Sequence, residues 1–179
     1  MRIGIDLDDT INNLVDVWLE EYNRDYNDTL KIEDITFWDF AKYVKCENKI
    51  YDYLNNGKLF KKVSIKNGVY DSLLKLSKDN ELFIVTANFN YGKETCDDKV
   101  NFVRKYLPFI NVNNIIFISH KYLLNLDLLI DDGIHNLENF KGIKVLFERP
   151  WNTSWNSYNY KINKWDDNIV DIINNLKKV

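Results

Sequence analysis

Histidine, cysteine, proline and glycine are all scarce in this sequence. Its 179 residues include 2 His, 2 Cys, 2 Pro and 6 Gly. So little proline and glycine, beside 45% hydrophobic and 28% charged residues, argues against a disordered or fibrous chain and for a globular one. Cys46 and Cys96 lie in unrelated contexts without metal-ligand spacing, as expected of free thiols in a reducing compartment. The histidines, His120 and His135, stand in no nucleophile-elbow context, so a Ser-His-Asp hydrolase is disfavoured. Positive charge is also short: the net charge is −3. No basic field draws the chain to nucleic acid polymers or anionic membranes, although a small phosphorylated metabolite needs only local positive charge. No apolar run approaches a membrane span, and the N-terminus shows no cationic segment followed by an apolar one. A soluble, cytoplasmic protein with one packed core is expected at this length, and the oligomeric state is left open between monomer and homodimer.

What the sequence does have is a dense group of carboxylates at its start. Arg2-Ile3-Gly4-Ile5 predicts a short buried strand that runs into Asp6-Leu7-Asp8-Asp9-Thr10. Side chains alternate along a strand, so Asp6 and Asp8 emerge on one side. Two like charges that close need a cation, a shared proton or both, and a hard divalent ion such as Mg²⁺ prefers oxygen ligands. An acidic turn leaving a strand is the plain alternative.

Helical spacing of Leu14, Val15, Trp18, Leu19 and Tyr22 predicts a helix over about 13–27. Residues 28–66 give no strong strand signal. They carry an aromatic cluster, Phe37-Trp38-Asp39-Phe40 with Tyr43, then a short helix near 47–55 closed by Asn56-Gly57. A helix over about 68–78 follows. Strands are predicted at 81–86, 115–118, 126–130 and 143–147, and helices at 96–106 and 166–177. Strands alternating with helices predict an α/β fold with a parallel sheet covered on both faces. Residues 14–66 would form a small helical cap inserted after the first strand, over a core of 1–13 and 67–179.

Ligands of such sheets bind at the carboxyl ends of the strands. There the sequence sets Asp6 and Asp8, then Thr86, then Asp131-Asp132, with Lys99 near the start of the helix after Thr86. Taken singly, Thr86 is equally a cap, Asp131-Asp132-Gly133 a turn and Lys99 a solvated helix residue. Together they suit phosphoryl transfer, in which a cation, a lysine and a hydroxyl hold the phosphate charge. One carboxylate attacks phosphorus and a second manages the protons.

These residues resemble the motifs of the haloacid dehalogenase superfamily of aspartate-nucleophile phosphatases. Asp6-Leu7-Asp8-Asp9-Thr10 is similar to the first motif, Thr86 after Phe83-Ile84-Val85 to the second, Lys99 to the third and Leu129-Ile130-Asp131-Asp132 to the fourth. The resemblance covers about residues 1–135. It implies a Rossmann-like parallel sheet, Asp6 as nucleophile and Asp8 as general acid/base. It also implies Thr86, Ala87 and Lys99 on the phosphate, and Mg²⁺ held by Asp6, the main-chain carbonyl of Asp8 and the Asp131/Asp132 pair.

Within that superfamily the chain looks most like the bacterial 5'(3')-deoxyribonucleotidases. Phe37-Trp38 sits where those enzymes keep an aromatic pair lining the base pocket, and Lys99 to Leu107 is similar to their lysine-then-aromatic helix. Ser119-His120-Lys121 is similar to their Thr-Arg-x-Lys segment, which implies Lys121 on the phosphate. Ser119 stands where an arginine is usual, so one positive contact is missing, and Asp9-Thr10 replaces the Gly-Val of the animal enzymes. Pro150-Trp151-Asn152 is similar to bacterial members; it either closes over the site or is a packed C-terminal loop. Stacking on Phe37 or Trp38 would be worth roughly 1–3 kcal/mol per base, while a small cap also needs aromatics for its own packing.

The reading that follows is a Mg²⁺-dependent phosphomonoesterase acting on nucleoside monophosphates, 5'(3')-deoxyribonucleotides in particular, through an aspartyl-phosphate. One alternative keeps the chemistry on a sugar phosphate or another small metabolite. A non-enzymatic receiver-like module is the other, opposed by the motif order and the inserted aromatic segment.

Overall fold

The computed structural model describes residues 1–55, 58–88 and 92–176. Six strands, β1 (Arg2–Asp6), β2 (Glu81–Thr86), β3 (Ile115–Phe117), β4 (Leu128–Asp131), β5 (Ile143–Phe147) and β6 (Tyr160–Ile162), form one sheet of order β3-β2-β1-β4-β5-β6. Every neighbouring pair is parallel. The chain fills the sheet from β1 outward through β2 and β3, then crosses back to β4, β5 and β6. The order therefore reverses between β1 and β4, where a crevice opens beyond the strand ends. Asp6 pairs with Val85 and Asp131 with Leu146 in register, so the acidic strand ends share one edge.

Alternation along the strands splits the core between the two faces. Ile3, Ile5, Ile84, Leu128, Ile130 and Val145 pack in the larger cluster, while Val85, Leu129 and Leu146 pack with Leu137 and Phe140 in the smaller. Helices cover the sheet: α1 (Leu14–Tyr26), α2 (Asp52–Asn55), α3 (Val69–Ser77), α4 (Gly92–Tyr106), α5 (Ile134–Leu137) and α6 (Asp167–Leu176). Gly68 opens α3 with φ 78°, and a Cβ there would lie 2.0 Å from the Trp165 carbonyl oxygen. No side chain fits that approach.

The segment from 14 to 66 leaves the sheet and returns to it at one place. An antiparallel bridge joins Asn12 to Ile65, the Ser64 amide donates to Asn13 Oδ1 at 2.7 Å, and the Lys66 amide to the Ile11 carbonyl at 2.9 Å. Trp18, Tyr22, Phe40, Ile50, Leu54 and Phe60 from this segment lie in the same apolar cluster as Ile3 and Ile5. The segment thus shares the core of the sheet.

Strands and helices fall close to the sequence expectations, with four differences, one of them the short helix α5, which was not anticipated. Helix α4 begins at Gly92, earlier than the expected 96, and the expected helix over 47–55 divides into a 3₁₀ stretch at Glu47–Tyr51 and α2. Strand β6 was not anticipated: it has three residues at the sheet edge, too few to show a period of two. The Asn56-Gly57 stop and the last expected helical residue, Lys177, lie outside the described residues.

Candidate active site

Asp6, the last residue of β1, is buried, and so are Asp131 and Asp132 at the end of β4. One carboxylate oxygen from each lies within 4.8 Å of the others. Hard oxygen donors at this spacing fit a divalent cation of the Mg²⁺ type. Each partner is held by neutral donors or one cation. Asp131 Oδ1 accepts from the Gly133 amide at 2.8 Å and Asn136 Nδ2 at 3.0 Å. Asp132 Oδ2 accepts from Trp151 Nε1 at 3.1 Å and Oδ1 from the Thr10 hydroxyl at 3.4 Å. The Lys121 ammonium bonds both Asp6 Oδ1 and Asp131 Oδ2.

The electrostatics follow from burial and crowding. Burial pushes the Asp6 carboxyl up to about 7; Lys121 opposes the rise, and Asp131 and Asp8 add to it. Asp132 goes well above the usual carboxylate range, through burial first and then the charges of Asp6, Asp131 and Asp9. Burial works against the Lys121 charge, but Asp131 and Asp6 outweigh it and its pKa rises. Such strained carboxylates favour a bound cation, which relieves the repulsion.

A second group forms beside the first. The buried Lys99, from α4, donates to Asp8 Oδ2 at 2.6 Å, Thr86 Oγ1 at 2.9 Å and the Ala87 carbonyl at 2.6 Å. Asn12 Nδ2 donates to the other Asp8 oxygen at 3.1 Å. Both oxygens of the Asp8 carboxylate are thereby bonded, one to the Lys99 ammonium and the other to the Asn12 amide. The cleft above both groups is lined by Asp6, Asp8, Ala87, Ser119, Lys121 and His135, with an aromatic wall of Trp18, Trp38 and Phe40.

Asp6, Asp131, Asp132 and Lys121 thus meet as one group, and Asp8, Thr86, Ala87 and Lys99 as another next to it. Lys121 reaches Asp6 and Asp131, while Lys99 reaches Asp8 and Thr86. One placement departs from expectation. Phe37 is 66% exposed and absent from the cleft lining, where Phe40 stands with Trp38 instead. Residues 35–39 are irregular, so no period indicates which ring turns inward. The residues not anticipated are Asn12, which holds Asp8, Asn136, which holds Asp131, and His135, whose imidazole lies 5.5 Å from the Trp38 ring. In the Pro150-Trp151-Asn152 stretch Trp151 is buried and donates to the Asp132 carboxylate, and Asn152 to the Asp132 main-chain carbonyl. A buried amide beside each acidic motif is a signal only in retrospect, since Asn is frequent along the whole chain.

The fold is that of the haloacid dehalogenase-like hydrolases. A hydrolase of this type from Streptococcus pneumoniae superposes with a TM-score of 0.65 at 13% identity, covering 98% of this chain and 97% of that one. A haloacid dehalogenase-like protein from Agrobacterium tumefaciens gives 0.65 at 12%, covering 98% of each. Within the class the chain belongs to the family described as 5' nucleotidase, deoxy (pyrimidine), cytosolic type C protein, whose model matches residues 1–178. It is 42% identical to the 5'(3')-deoxyribonucleotidase of Clostridium acetobutylicum over 158 residues, 87% of this chain and 86% of that one. To the enzyme of the same name from Bacillus subtilis it is 32% identical, covering 92% and 94%. Among the described residues no helix is long and apolar enough to cross a membrane.

Proposed function

We propose that this protein is a Mg²⁺-dependent phosphomonoesterase that dephosphorylates nucleoside monophosphates, 5'(3')-deoxyribonucleotides in particular, through an aspartyl-phosphate on Asp6. The observation that carries the reading is the convergence of the Asp6, Asp131 and Asp132 carboxylates with Lys121 under a cleft walled by Trp18, Trp38 and Phe40. Family membership supports the substrate class. Residues 14–66 act as the cap that carries this wall.

The residues divide the work as follows. Asp6, Asp131 and Asp132 hold the cation, with the Asp8 main-chain carbonyl; the bound ion supplies charge neutralisation for phosphoryl oxygens and the nucleophile. Lys121 and the Thr86 hydroxyl, with Ala87, bind the phosphoryl group, Lys121 neutralising part of its charge. An Asp6 oxygen attacks phosphorus in line, and the ester P–O bond breaks. Asp8 gives its proton to the leaving oxygen, then takes one from the water that attacks the aspartyl-phosphate, releasing inorganic phosphate and restoring Asp6. Lys99 and Asn12 fix Asp8 for both transfers. The aromatic wall stacks on the base.

Phosphate release from thymidine and deoxyuridine monophosphates, set against small sugar phosphates, tests the substrate class. The nucleotides are expected to be the better substrates; the reverse order would sink the nucleotide assignment. Asp6→Asn is expected to abolish turnover while circular dichroism shows an intact fold, and retained turnover would remove Asp6 as nucleophile.

A further inference from the structure

The turn after β5 approaches the cleft from behind. Trp151 is buried and does not line the cleft, yet it touches both groups that do the binding. Its indole Nε1 donates to Asp132 Oδ2 at 3.1 Å. Its ring meets Trp38 edge-on, centroids 5.7 Å apart at 74°, and lies 5.7 Å from Phe40. The turn itself is pinned, because Asn152 Nδ2 donates to the main-chain carbonyls of Asp132 and Phe147, each at 2.9 Å. The Arg149 guanidinium lies 5.4 Å over the Trp151 ring.

We infer that Trp151 is a positioning residue whose indole N–H sets the Asp132 carboxylate for the cation while its ring backs the aromatic wall. The inference rests on the metal-dependent reading above. An indole suits this place because it orients a carboxylate oxygen without bringing a positive charge, which would weaken the pull on a cation. Lys121 already supplies such a charge to Asp6 and Asp131. Donors behind metal ligands commonly account for 10–100-fold in metal affinity, so the single N–H matters at the scale of binding. The same ring blocks Trp38 and Phe40 from sinking inward.

Calorimetric titration of the full chain with magnesium chloride tests this. W151F keeps a ring and loses the N–H, and is expected to bind Mg²⁺ about tenfold more weakly than wild type. W38A leaves the N–H in place and is expected to stay within about twofold, since it removes no donor to a ligand. Wild-type affinity in W151F overturns the inference, and so does an equal loss in W38A, which would trace the effect to packing. In the wild-type chain the Trp151 indole N–H resonance in a proton–nitrogen NMR spectrum is expected to shift as Mg²⁺ is added. A resonance that stays fixed while Mg²⁺ binds overturns the inference even should W151F fail to fold. If the wild-type chain binds no Mg²⁺, the metal-dependent reading itself fails and the inference falls with it, an outcome distinct from binding that W151F leaves unchanged.

Discussion

The Lys99 ammonium lies 2.6 Å from Asp8 Oδ2, and the lysine is 1% exposed. Its remaining bonds go to Thr86 and the Ala87 carbonyl, so this buried cation orients the acid/base residue and the hydroxyl beside it together. Lys99→Met keeps the packed stem and removes the ammonium. General acid–base catalysis contributes about 10²–10⁴-fold, and a misoriented Asp8 is expected to forfeit the lower part of that, about 10²-fold in kcat. Steady-state kinetics at saturating Mg²⁺ reads the result; an unchanged kcat would show that Asn12 alone holds Asp8.

The crowded carboxylates predict a link between pH, metal and stability. Burial pushes the Asp6 carboxyl up to about 7 in the folded chain, from an ordinary value of 3.8 in the unfolded one, and Asp132 is shifted the same way. A carboxyl with a raised folded pKa contributes stability that is fully present below its unfolded pKa and lost as pH rises through its folded pKa. The metal-free protein is therefore expected to lose this contribution between about pH 4 and 7. Mg²⁺ restores it by replacing protons with a cation, so the Tm increase on adding Mg²⁺ is expected to be larger at pH 8 than at pH 5. Thermal melts with EDTA and with Mg²⁺ at the two pH values check this, and an equal increase at both would contradict it.

Much of this site was legible from the sequence because its carboxylates sit at strand ends. Asp6, Thr86 and Asp131-Asp132 each follow an apolar run directly, and in a parallel sheet the carboxyl ends of neighbouring strands share one edge whatever the loops do. Lys99 and Lys121 were legible as cations for this edge, but which carboxylate each meets was not. A lysine side chain reaches across several residues, and which carboxylate it meets depends on how the helix or turn carrying it docks. Phe40 displaced Phe37 from the cleft for a related reason, as the irregular chain there imposes no alternation. Trp151 was marked by its Pro150-Trp151-Asn152 context, but its contact with Asp132 spans 19 residues and follows only from the pairing of β4 with β5.

Asp9 sets two effects against each other. It holds φ 58°, a region that glycine adopts more easily, so Asp9→Gly would relieve backbone strain of about 1 kcal/mol. Its carboxylate, however, is paired with Arg149 and Lys66, both mostly buried, and losing it leaves two cations facing each other. Removing one partner of a buried pair costs about 3–5 kcal/mol. The residual exposure of the two cations places this case at the low end, and glycine also adds freedom to the unfolded chain. The net expectation is a loss of about 2 kcal/mol, measured by urea denaturation in EDTA. A gain in stability would mean that backbone strain outweighs the ion pairs.

Trp38 is 51% exposed although it lines the cleft and meets Trp151 and His135 edge-on. A half-exposed indole contributes little to the core, so its removal should be read mainly in binding. Its ring offers a face to a flat ligand, and base–aromatic stacking is worth roughly 1–3 kcal/mol. By the tenfold-per-1.4 kcal/mol rule, Trp38→Ala is expected to raise KM for a deoxyribonucleotide by about 5- to 140-fold. A small aryl phosphate, whose ring is held beside the phosphate and does not extend to the wall, is expected to show less than about a twofold rise. Steady-state kinetics on the two substrates measures the split. Equal rises on both would assign Trp38 a purely packing role and leave Trp18 and Phe40 as the wall.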